Sequence, residues 1–363
     1  MHSILAPVLC VLVSVTLVAN AAGAGQAQER GPVTPVEPIA AIVEAFRTHD
    51  LVAVSDPHGN LQMQTFLRAL VRDPRMTAVV DDIVVEIGNA RYQALVDRYV
   101  TGARVTLDDL RPVWQNTTVP NQLWADDELF ALVRAVNAAR PRDRHLRILL
   151  GDPPIDWSVV RTRDDHVRWL SLRDSYPAAL IQVEVLAKRR KALVVYGHMH
   201  FQRRQLASNL DMSDWRAHTI VSLLEQATPA RVFTIWRLDD TLRELEPAVA
   251  SWTTPGLATV RGTRLGAADV SLLSPARSRI TFRDGAMVPV PQDQWRTLAI
   301  EDQLDAVLYL GAPDAMPQVE PPARACAGAG FLDERLRRIA LTGIPAFEAD
   351  RVRRLCGQPA PRR

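Results

Sequence analysis

The chain has 363 residues, of which 47% are hydrophobic and 23% are charged, so it is long and apolar enough to bury a sizeable core. Its 43 Lys and Arg residues nearly balance its 41 Asp and Glu residues, and the formal net charge is only +2. This balance gives no electrostatic basis for binding nucleic acid or an anionic membrane. We therefore expect a small-molecule substrate or ligand, recognised at a local site.

The first 28 residues have the pattern of a secretory signal. Residues 4–19 form an uncharged apolar run that is shorter than the ~20 residues needed to span a bilayer. Small residues follow, and both Ala19-Asn20-Ala21 and Ala22-Gly23-Ala24 fit an A-x-A cleavage pattern. The pattern predicts a signal peptide over residues 1–28, export to the periplasm or the extracellular space, and no integral membrane span after its removal.

Two cysteines, Cys326 and Cys356, remain after the predicted signal. In an oxidising compartment the simplest expectation is one disulfide that closes the C-terminal segment. Neither cysteine lies in a C-x-x-C motif or next to a histidine, so neither is assigned a catalytic or metal-binding role.

Runs rich in β-branched residues alternate along the chain with amphipathic segments. The predicted strands are 51–55 (LVAVS), 82–87 (DIVVEI), 146–150 (LRILL), 192–196 (ALVVY), 218–223 (HTIVSL) and 231–236 (RVFTIW). The predicted helices include 61–71, 92–100, 126–138 and 178–188. This order predicts an α/β fold with a largely parallel sheet flanked by helices, in which ligands bind at the carboxyl ends of the strands.

Beyond residue 240 the pattern is less regular. Short strands are expected around Val260 and over 279–282, a helix-to-strand transition over 301–309, and a helical region over 330–355. We therefore predict an α/β domain over 29–240 and a C-terminal α+β elaboration over 241–363, which packs on the sheet.

Titratable side chains lie at the ends of four predicted strands. They are Asp56 and His58 after the first, Glu86 near the end of the second, Asp152 after the third, and His198 and His200 in a Gly197-His198-Met199-His200 turn after the fourth. Parallel strands bring such loops to one edge of the sheet. The set contains what general acid–base catalysis or a metal site requires.

Each of these residues also has a structural interpretation. Asp56 or Asp152 could cap a helix, and His58 could occupy a turn. Glu86 is harder to explain in this way, because an ionised carboxylate that follows an apolar run needs a cation, a base or a metal beside it. A structural ion pair with Arg91 is the alternative for Glu86.

Residues 51–100, together with LRILLGDPPIDW and ALVVYGHMHFQR, resemble the exported branch of the erythromycin-esterase/ChaN-like group of the Tiki/TraB superfamily. In that superfamily the first strand ends in a G-x-x-H or G-E-x-H motif, a Glu ends the next strand, and a second G-x-x-H follows later. Ser55-Asp56-Pro57-His58, Glu86 and Gly197-His198-Met199-His200 match these motifs in order. Ser55 replaces the usual Gly and Asp56 the usual Glu. The resemblance favours His200 over His198, which falls at a variable position.

Members of this group divide among ester hydrolysis, metal-dependent proteolysis and haem binding, and we expect hydrolysis of a carboxylic ester or related acyl bond. In a metal-free form, His58, oriented by Asp56 or Glu86, would deprotonate water while His200 or Arg91 stabilises the oxyanion. In a metal-dependent form, His58, Glu86 and His200 would hold one divalent cation. The sequence leaves both forms open.

A calcineurin-like metallophosphoesterase is a second interpretation of the same motifs. Asp56, His58, Asp152, His198 and His200 would then hold two metal ions. The motif order argues against it, since Gly88-Asn89 precedes Gly151-Asp152 and is followed by Ala90.

Binding without turnover is a third interpretation. By resemblance to ChaN, His200 or Tyr92 would then act as a haem ligand. The sequence has no C-x-x-C-H motif, which excludes covalent haem.

Overall fold

The computed structural model describes residues 30–125, 127–204, 213–228, 232–238, 249–273, 280–283, 286–291, 298–312 and 323–357. The predicted signal segment, 1–28, lies outside these residues. The described residues from Gly31 onward group into one compact unit. Within the described ranges, no helix combines the length and the apolar character that a membrane crossing requires.

A seven-stranded sheet with the order β3-β2-β4-β1-β5-β9-β6 forms the centre of this unit. The strands are β1 (Leu51–Ser55), β2 (Asp82–Asn89), β3 (Arg147–Asp152), β4 (Ala192–Tyr196), β5 (Val232–Arg237), β6 (Gly256–Thr259) and β9 (Ala306–Tyr309). All neighbouring pairs are parallel except β6 with β9. Strands β7 (Ile280–Arg283) and β8 (Ala286–Pro289) form a separate antiparallel pair. The predicted α/β class with a largely parallel sheet is confirmed.

Helices pack on both faces of the sheet. The helices within the described residues are α1 (Pro38–Ala45), α2 (Leu61–Arg72), α3 (Pro74–Val79), α4 (Gln93–Val100), α5 (Arg111–Gln115), α6 (Asp127–Ala138), α7 (Arg163–Leu170), α8 (Ser175–Glu184), α9 (Ile220–Ala227), α10 (Arg264–Ala267), α11 (Phe331–Thr342) and α12 (Ala346–Gly357). The sequence of strand β1 is continuously apolar because both faces of the strand are buried. Val52 and Val54 belong to one buried cluster, while Leu51 and Ala53 belong to the cluster on the opposite face.

The predicted strand over 218–223 is wrong, because Thr219 is the N-cap of helix α9 and residues 220–223 form its first turn. Thr219 caps this helix: its hydroxyl accepts from the Ser222 N–H, and the Ser222 hydroxyl accepts from the Thr219 N–H. Ile220, Val221 and Leu224 are buried against the sheet. The β-branched run that suggested a strand is therefore the apolar face of a capped helix.

Residues beyond 240 contribute two strands, β6 and β9, to the central sheet. Further along the chain, α11 and α12 pack against each other, and α11 also contacts α7. Cys326 and Cys356 form a disulfide, with their Cα atoms 5.3 Å apart, that closes the segment carrying these two helices.

A buried carboxylate lies at the amino-terminal edge of the sheet. Asp82, the first residue of β2, is 0% exposed. Its two oxygens accept from Arg147 Nε at 2.7 Å and from Arg190 Nε at 2.8 Å. Because Arg147 begins β3 and Arg190 precedes β4, one carboxylate connects three neighbouring strands.

Asp82→Ala is expected to lower the free energy of unfolding by about 3 kcal/mol, because it leaves two guanidinium groups without their carboxylate. Denaturation by urea measures this loss. Glu44→Gln is the matched control, since it breaks an exposed pair in which Glu44 lies 3.0 Å from Arg47, and we expect a change within about 0.5 kcal/mol. Equal losses in the two variants would contradict the role of Asp82.

Candidate functional site

Three adjacent strands bring the sequence motifs together. Strand β4 lies between β1 and β2, so the loops after all three leave the same edge of the sheet. The Asp56 N–H donates to the Tyr196 carbonyl at 2.8 Å. The Gly197 N–H donates to Glu86 Oε2, also at 2.8 Å. Backbone hydrogen bonds therefore fix the ends of β1 and β4 relative to the Glu86 carboxylate.

The turn after β1 gives His58 an uncommon backbone conformation, with φ at 48°. Asp56 stabilises the turn, since its Oδ1 accepts from the His58 N–H at 3.1 Å. Gly59 follows with φ at 70°, and a Cβ there would lie 2.0 Å from the ring of Trp124. Asn60 then caps α2 by accepting from the Met63 N–H. A strained, over-determined turn of this kind is typical of functional sites.

Glu86 is the centre of the site and is only 6% exposed. Its Oε2 lies 3.0 Å from His58 Nε2, and its Oε1 lies 3.5 Å from His200 Nε2. The Arg173 guanidinium also donates to Oε1. The buried carboxylate is therefore compensated by two imidazoles and one guanidinium.

Each imidazole has a second carboxylate on its other nitrogen. Asp56 Oδ2 lies 3.4 Å from His58 Nδ1, and Asp174 Oδ1 lies 2.8 Å from His200 Nδ1. Asp174 Oδ1 also accepts from the Ile220 N–H at the start of α9. We refer to Asp56, His58, Glu86, Arg173, Asp174 and His200 as the Glu86 cluster. Its order, Asp–His–Glu–His–Asp, fixes the orientation of both rings.

Electrostatics favours the charged forms within the cluster. Burial disfavours an ionised Glu86, but His58, His200 and Arg173 outweigh it and hold the pKa of Glu86 well below its ordinary value. Burial likewise opposes charge on His58, yet Glu86 and Asp56 raise the His58 pKa well above 6.5. For His200, the opposing effects of burial and of Asp174 and Glu86 raise the pKa to about 9. Both imidazoles therefore favour the protonated form at neutral pH.

Asp152 lies beside the cluster but has different hydrogen-bond partners. Its Oδ2 accepts from the Thr118 N–H at 2.9 Å, and Oδ1 bonds the Thr118 hydroxyl. Burial raises the pKa of Asp152 to about 7, although Arg173 and Thr118 oppose the shift. Tyr196 is also buried here, and no described residue is a partner of its hydroxyl. The Tyr196 ring meets the His200 imidazole edge-on, with centroids 5.5 Å apart.

The structure adds two residues that sequence reasoning missed, Arg173 and Asp174. Both lie at the junction of α7 and α8, which is distant in the sequence from the end of any strand. The signal that could have predicted a cation was Glu86 itself, whose burial requires one. Arg91, the predicted partner, instead pairs with Asp156 at 3.1 Å.

Two further predicted residues have contacts outside the cluster. The His198 ring packs on Trp236, with centroids 5.1 Å apart. The Tyr92 hydroxyl accepts from Asn116 Nδ2 at 2.8 Å, and Tyr92 lines a cavity with Trp157 and Arg338. The structure therefore brings together Asp56, His58, Glu86 and His200, and it places Arg91, His198 and Tyr92 elsewhere.

The side chains of the Glu86 cluster are poorly suited to hold a metal ion. In the parts of the chain that the structure describes, no group of three or more His, Cys, Asp or Glu residues has metal-site spacing. Glu86 Oε1 is in contact with the Arg173 guanidinium, and Oε2 already accepts from Gly197. A divalent cation between Glu86 and the imidazoles would lie against this buried positive charge.

A small cavity adjoins the cluster at Asp56. Its volume is about 90 Å³. The wall combines apolar residues, among them Leu67, Trp124, Leu129 and Val195, with polar and charged ones, which are Asp56, Gln64, Arg68, Asp127 and Glu128. The cavity therefore offers both apolar contact and charged groups next to the carboxylate that orients His58.

Asp174→Asn is expected to lower the pKa of His200 from about 9 towards its ordinary 6.5, because the amide keeps the shape but loses the charge. NMR titration of the His200 ring measures this midpoint. A folded-state pKa above the unfolded value stabilises the protein below about pH 6.5, and this contribution is lost as the pH rises through about 9. The variant should therefore lose less stability than the parent over that interval. An unchanged midpoint would exclude Asp174 as the cause.

Comparison with known proteins finds no matching family model and no matching curated protein. Among solved structures, a Bacillus cereus protein has 10% identity and a TM-score of 0.47, covering 77% of this chain and 94% of its own. A succinoglycan biosynthesis protein has 9% identity and a TM-score of 0.46, with the same coverage of 77% and 94%. ChaN of Campylobacter jejuni, solved with cofacial haem, has 12% identity and a TM-score of 0.35, covering 55% of this chain and 85% of its own. At such identities function does not follow from similarity, and the chemistry of the site rests on its own geometry.

Proposed function

We propose that the chain is a metal-free hydrolase of carboxylic esters or related acyl bonds, with His58 and His200 as its acid–base pair. The convergence of two carboxylate-oriented imidazoles on Glu86 carries this proposal. Hydrolysis needs one group that removes a proton from water and one that gives a proton to the leaving group. Two imidazoles in different surroundings can supply both.

His58 is assigned as the base and His200 as the acid. The 3.5 Å between His200 Nε2 and Glu86 Oε1 is at the limit of a hydrogen bond, so this N–H is available to a substrate oxygen. His58 Nε2 lies closer to the carboxylate, at 3.0 Å from Glu86 Oε2. This contact holds the His58 ring in position until a water molecule replaces Glu86 as the partner of Nε2. Both side chains are partly accessible, at 17% for His58 and 14% for His200.

The reaction then proceeds in two steps. The reactive form has His58 neutral, which is the minor form at neutral pH, and His200 protonated. His58 takes a proton from water as the oxygen attacks the acyl carbon, and the oxyanion is stabilised by the protonated His200 and the charge of Arg173. The tetrahedral intermediate collapses with cleavage of the bond to the leaving group, which takes its proton from His200. The products are a carboxylic acid and an alcohol. Proton transfer from His58 to His200 restores the starting state.

Substitution of either imidazole should abolish most of the activity. With p-nitrophenyl acetate and butyrate as substrates, His58→Asn and His200→Asn are expected to lower kcat by about 10²–10⁴, the usual contribution of an acid or base. His145→Gln is the control, because His145 precedes β3 at the opposite edge of the sheet, and its kcat should be unchanged. Full activity in His58→Asn would contradict the proposal. Loss of activity on exhaustive chelation would instead favour the metal-dependent form.

The pH dependence of the hydrolysis rate should identify which imidazole is the base and which is the acid. Because the His58 pKa is raised, activity should still increase with pH above 7, and it should fall above about pH 9 as His200 loses its proton. Asp56→Asn should move the rising limb of kcat/KM to lower pH, whereas Asp174→Asn should move the falling limb. Rate profiles of the two variants measure these shifts. If each variant moved the opposite limb, the two roles would be exchanged.

Binding without turnover remains the competing function, and the same preparation tests it. A Soret band on titration with haem, together with no hydrolysis of any ester in the panel, would favour a haem-binding protein.

A further inference from the structure

The turn that carries His58 is packed against the side chain of Trp124. Gly59, the residue after His58, lies so close to the indole ring that a Cβ at this position would be only 2.0 Å from it. Both residues of the turn have positive φ values, 48° for His58 and 70° for Gly59. Such a conformation costs energy at His58 unless surrounding contacts hold it. Trp124 is one of these contacts, and it limits the positions that the turn can adopt.

Trp124 and its neighbour Leu123 pack on different parts of the molecule. The Trp124 ring packs against the large buried cluster to which helices α2 and α6 contribute. Leu123 is 2% exposed and belongs to a small cluster with Ala325, Ile339 of α11 and Val352 of α12. Two adjacent residues therefore connect the His58 turn with the C-terminal helices, and a displacement of those helices would move Trp124 as well.

A hydrogen bond and a disulfide hold this connection together. Arg351 Nη2 on α12 donates to the Asn121 carbonyl at 2.9 Å, in the loop that leads to Trp124. The disulfide between Cys326 and Cys356 closes the segment that carries both helices, across a sequence separation of 30 residues. A small apolar cluster gives limited stability by itself, so a covalent cross-link contributes substantially to keeping the two helices in place.

We propose that Trp124 is a positioning residue for His58, and that the disulfide-closed helices α11 and α12 hold Trp124 against the His58 turn. The contact of 3.0 Å between His58 Nε2 and Glu86 Oε2 joins this turn to strand β2. Its length therefore depends on where the turn lies. The consequence for catalysis rests on the proposed function, in which His58 is the base, but the position of the ring does not.

NMR titration of the His58 ring tests the position of the turn independently of hydrolysis. Although burial opposes the shift, Glu86 and Asp56 raise the His58 pKa well above 6.5, and a displaced turn weakens these contacts. The midpoint should therefore fall towards 6.5 in Trp124→Leu. In the parent chain it should fall when dithiothreitol reduces the disulfide. Reduction of Trp124→Leu should change it little further, because the connection through the indole is already lost.

Two variants separate positioning from a general loss of packing. Trp124→Phe keeps an aromatic ring against Gly59 and should retain the parent midpoint. Trp252→Leu is the matched control, because Trp252 is a buried indole that packs on the Tyr309 ring, near the edge strand β6 and away from the His58 turn. It loses a similar amount of apolar contact, and its His58 midpoint should be unchanged.

The ester hydrolysis assay measures the consequence for catalysis. Trp124→Leu should lower kcat by about 10- to 100-fold, as expected when a catalytic group is misplaced, and reduction of the parent should lower it in the same direction. The rising limb of kcat/KM should move to lower pH. The falling limb near pH 9, which reports His200, should stay in place.

Leu123→Ala keeps the test decisive if Trp124→Leu does not fold, because it removes contacts with the C-terminal cluster and leaves the indole intact. Its His58 midpoint should also fall. An unchanged midpoint after reduction or in Leu123→Ala, or an equal shift in Trp252→Leu, would overturn the proposal. Shifted midpoints in a parent chain that hydrolyses no ester would contradict the proposed hydrolase and still support the positioning role of Trp124.

Discussion

The compensation of one buried negative charge, that of Glu86, determines the geometry of the candidate site. An ionised carboxylate at 6% exposure is stable only with cations and hydrogen-bond donors around it. These come from three separate segments: the turn after β1, the junction of α7 and α8, and the turn after β4. Because each segment is attached to a different element, the charge of Glu86 couples the sheet to the helices that cover it.

Strand β2 has two buried carboxylates, Asp82 at its first residue and Glu86 in its second half. Asp82 binds two arginines at the amino-terminal edge, where the contacts are guanidinium–carboxylate pairs. Glu86 faces two imidazoles, whose pKa values it helps to raise. The two carboxylates therefore differ in their partners, which are two guanidinium groups for Asp82 and two imidazoles with one guanidinium for Glu86.

The C-terminal helices reach the neighbourhood of the site through one loop. Arg335 and Arg338 of α11 both donate to Gln115, and Arg338 also donates to Asn116 Oδ1. Two residues further along, Thr118 binds the buried carboxylate of Asp152. The position of this loop, and with it the surroundings of Asp152, depends on helices that the sequence only indicated as a terminal helical region.

Local pattern alone determined the α/β class, the bounds of β1 and β4, and the placement of His58, Glu86 and His200 near strand ends, because apolar runs and turn residues act over a few positions. It failed for 218–223, where the helix cap at Thr219 outweighed a β-branched run. Tertiary structure alone decided the partners. Arg173 binds Glu86 although 87 residues separate them in the sequence. Arg91 is only five positions from Glu86, but it pairs with Asp156 instead. Compensation of a buried charge depends on proximity in space, which the order of residues does not record.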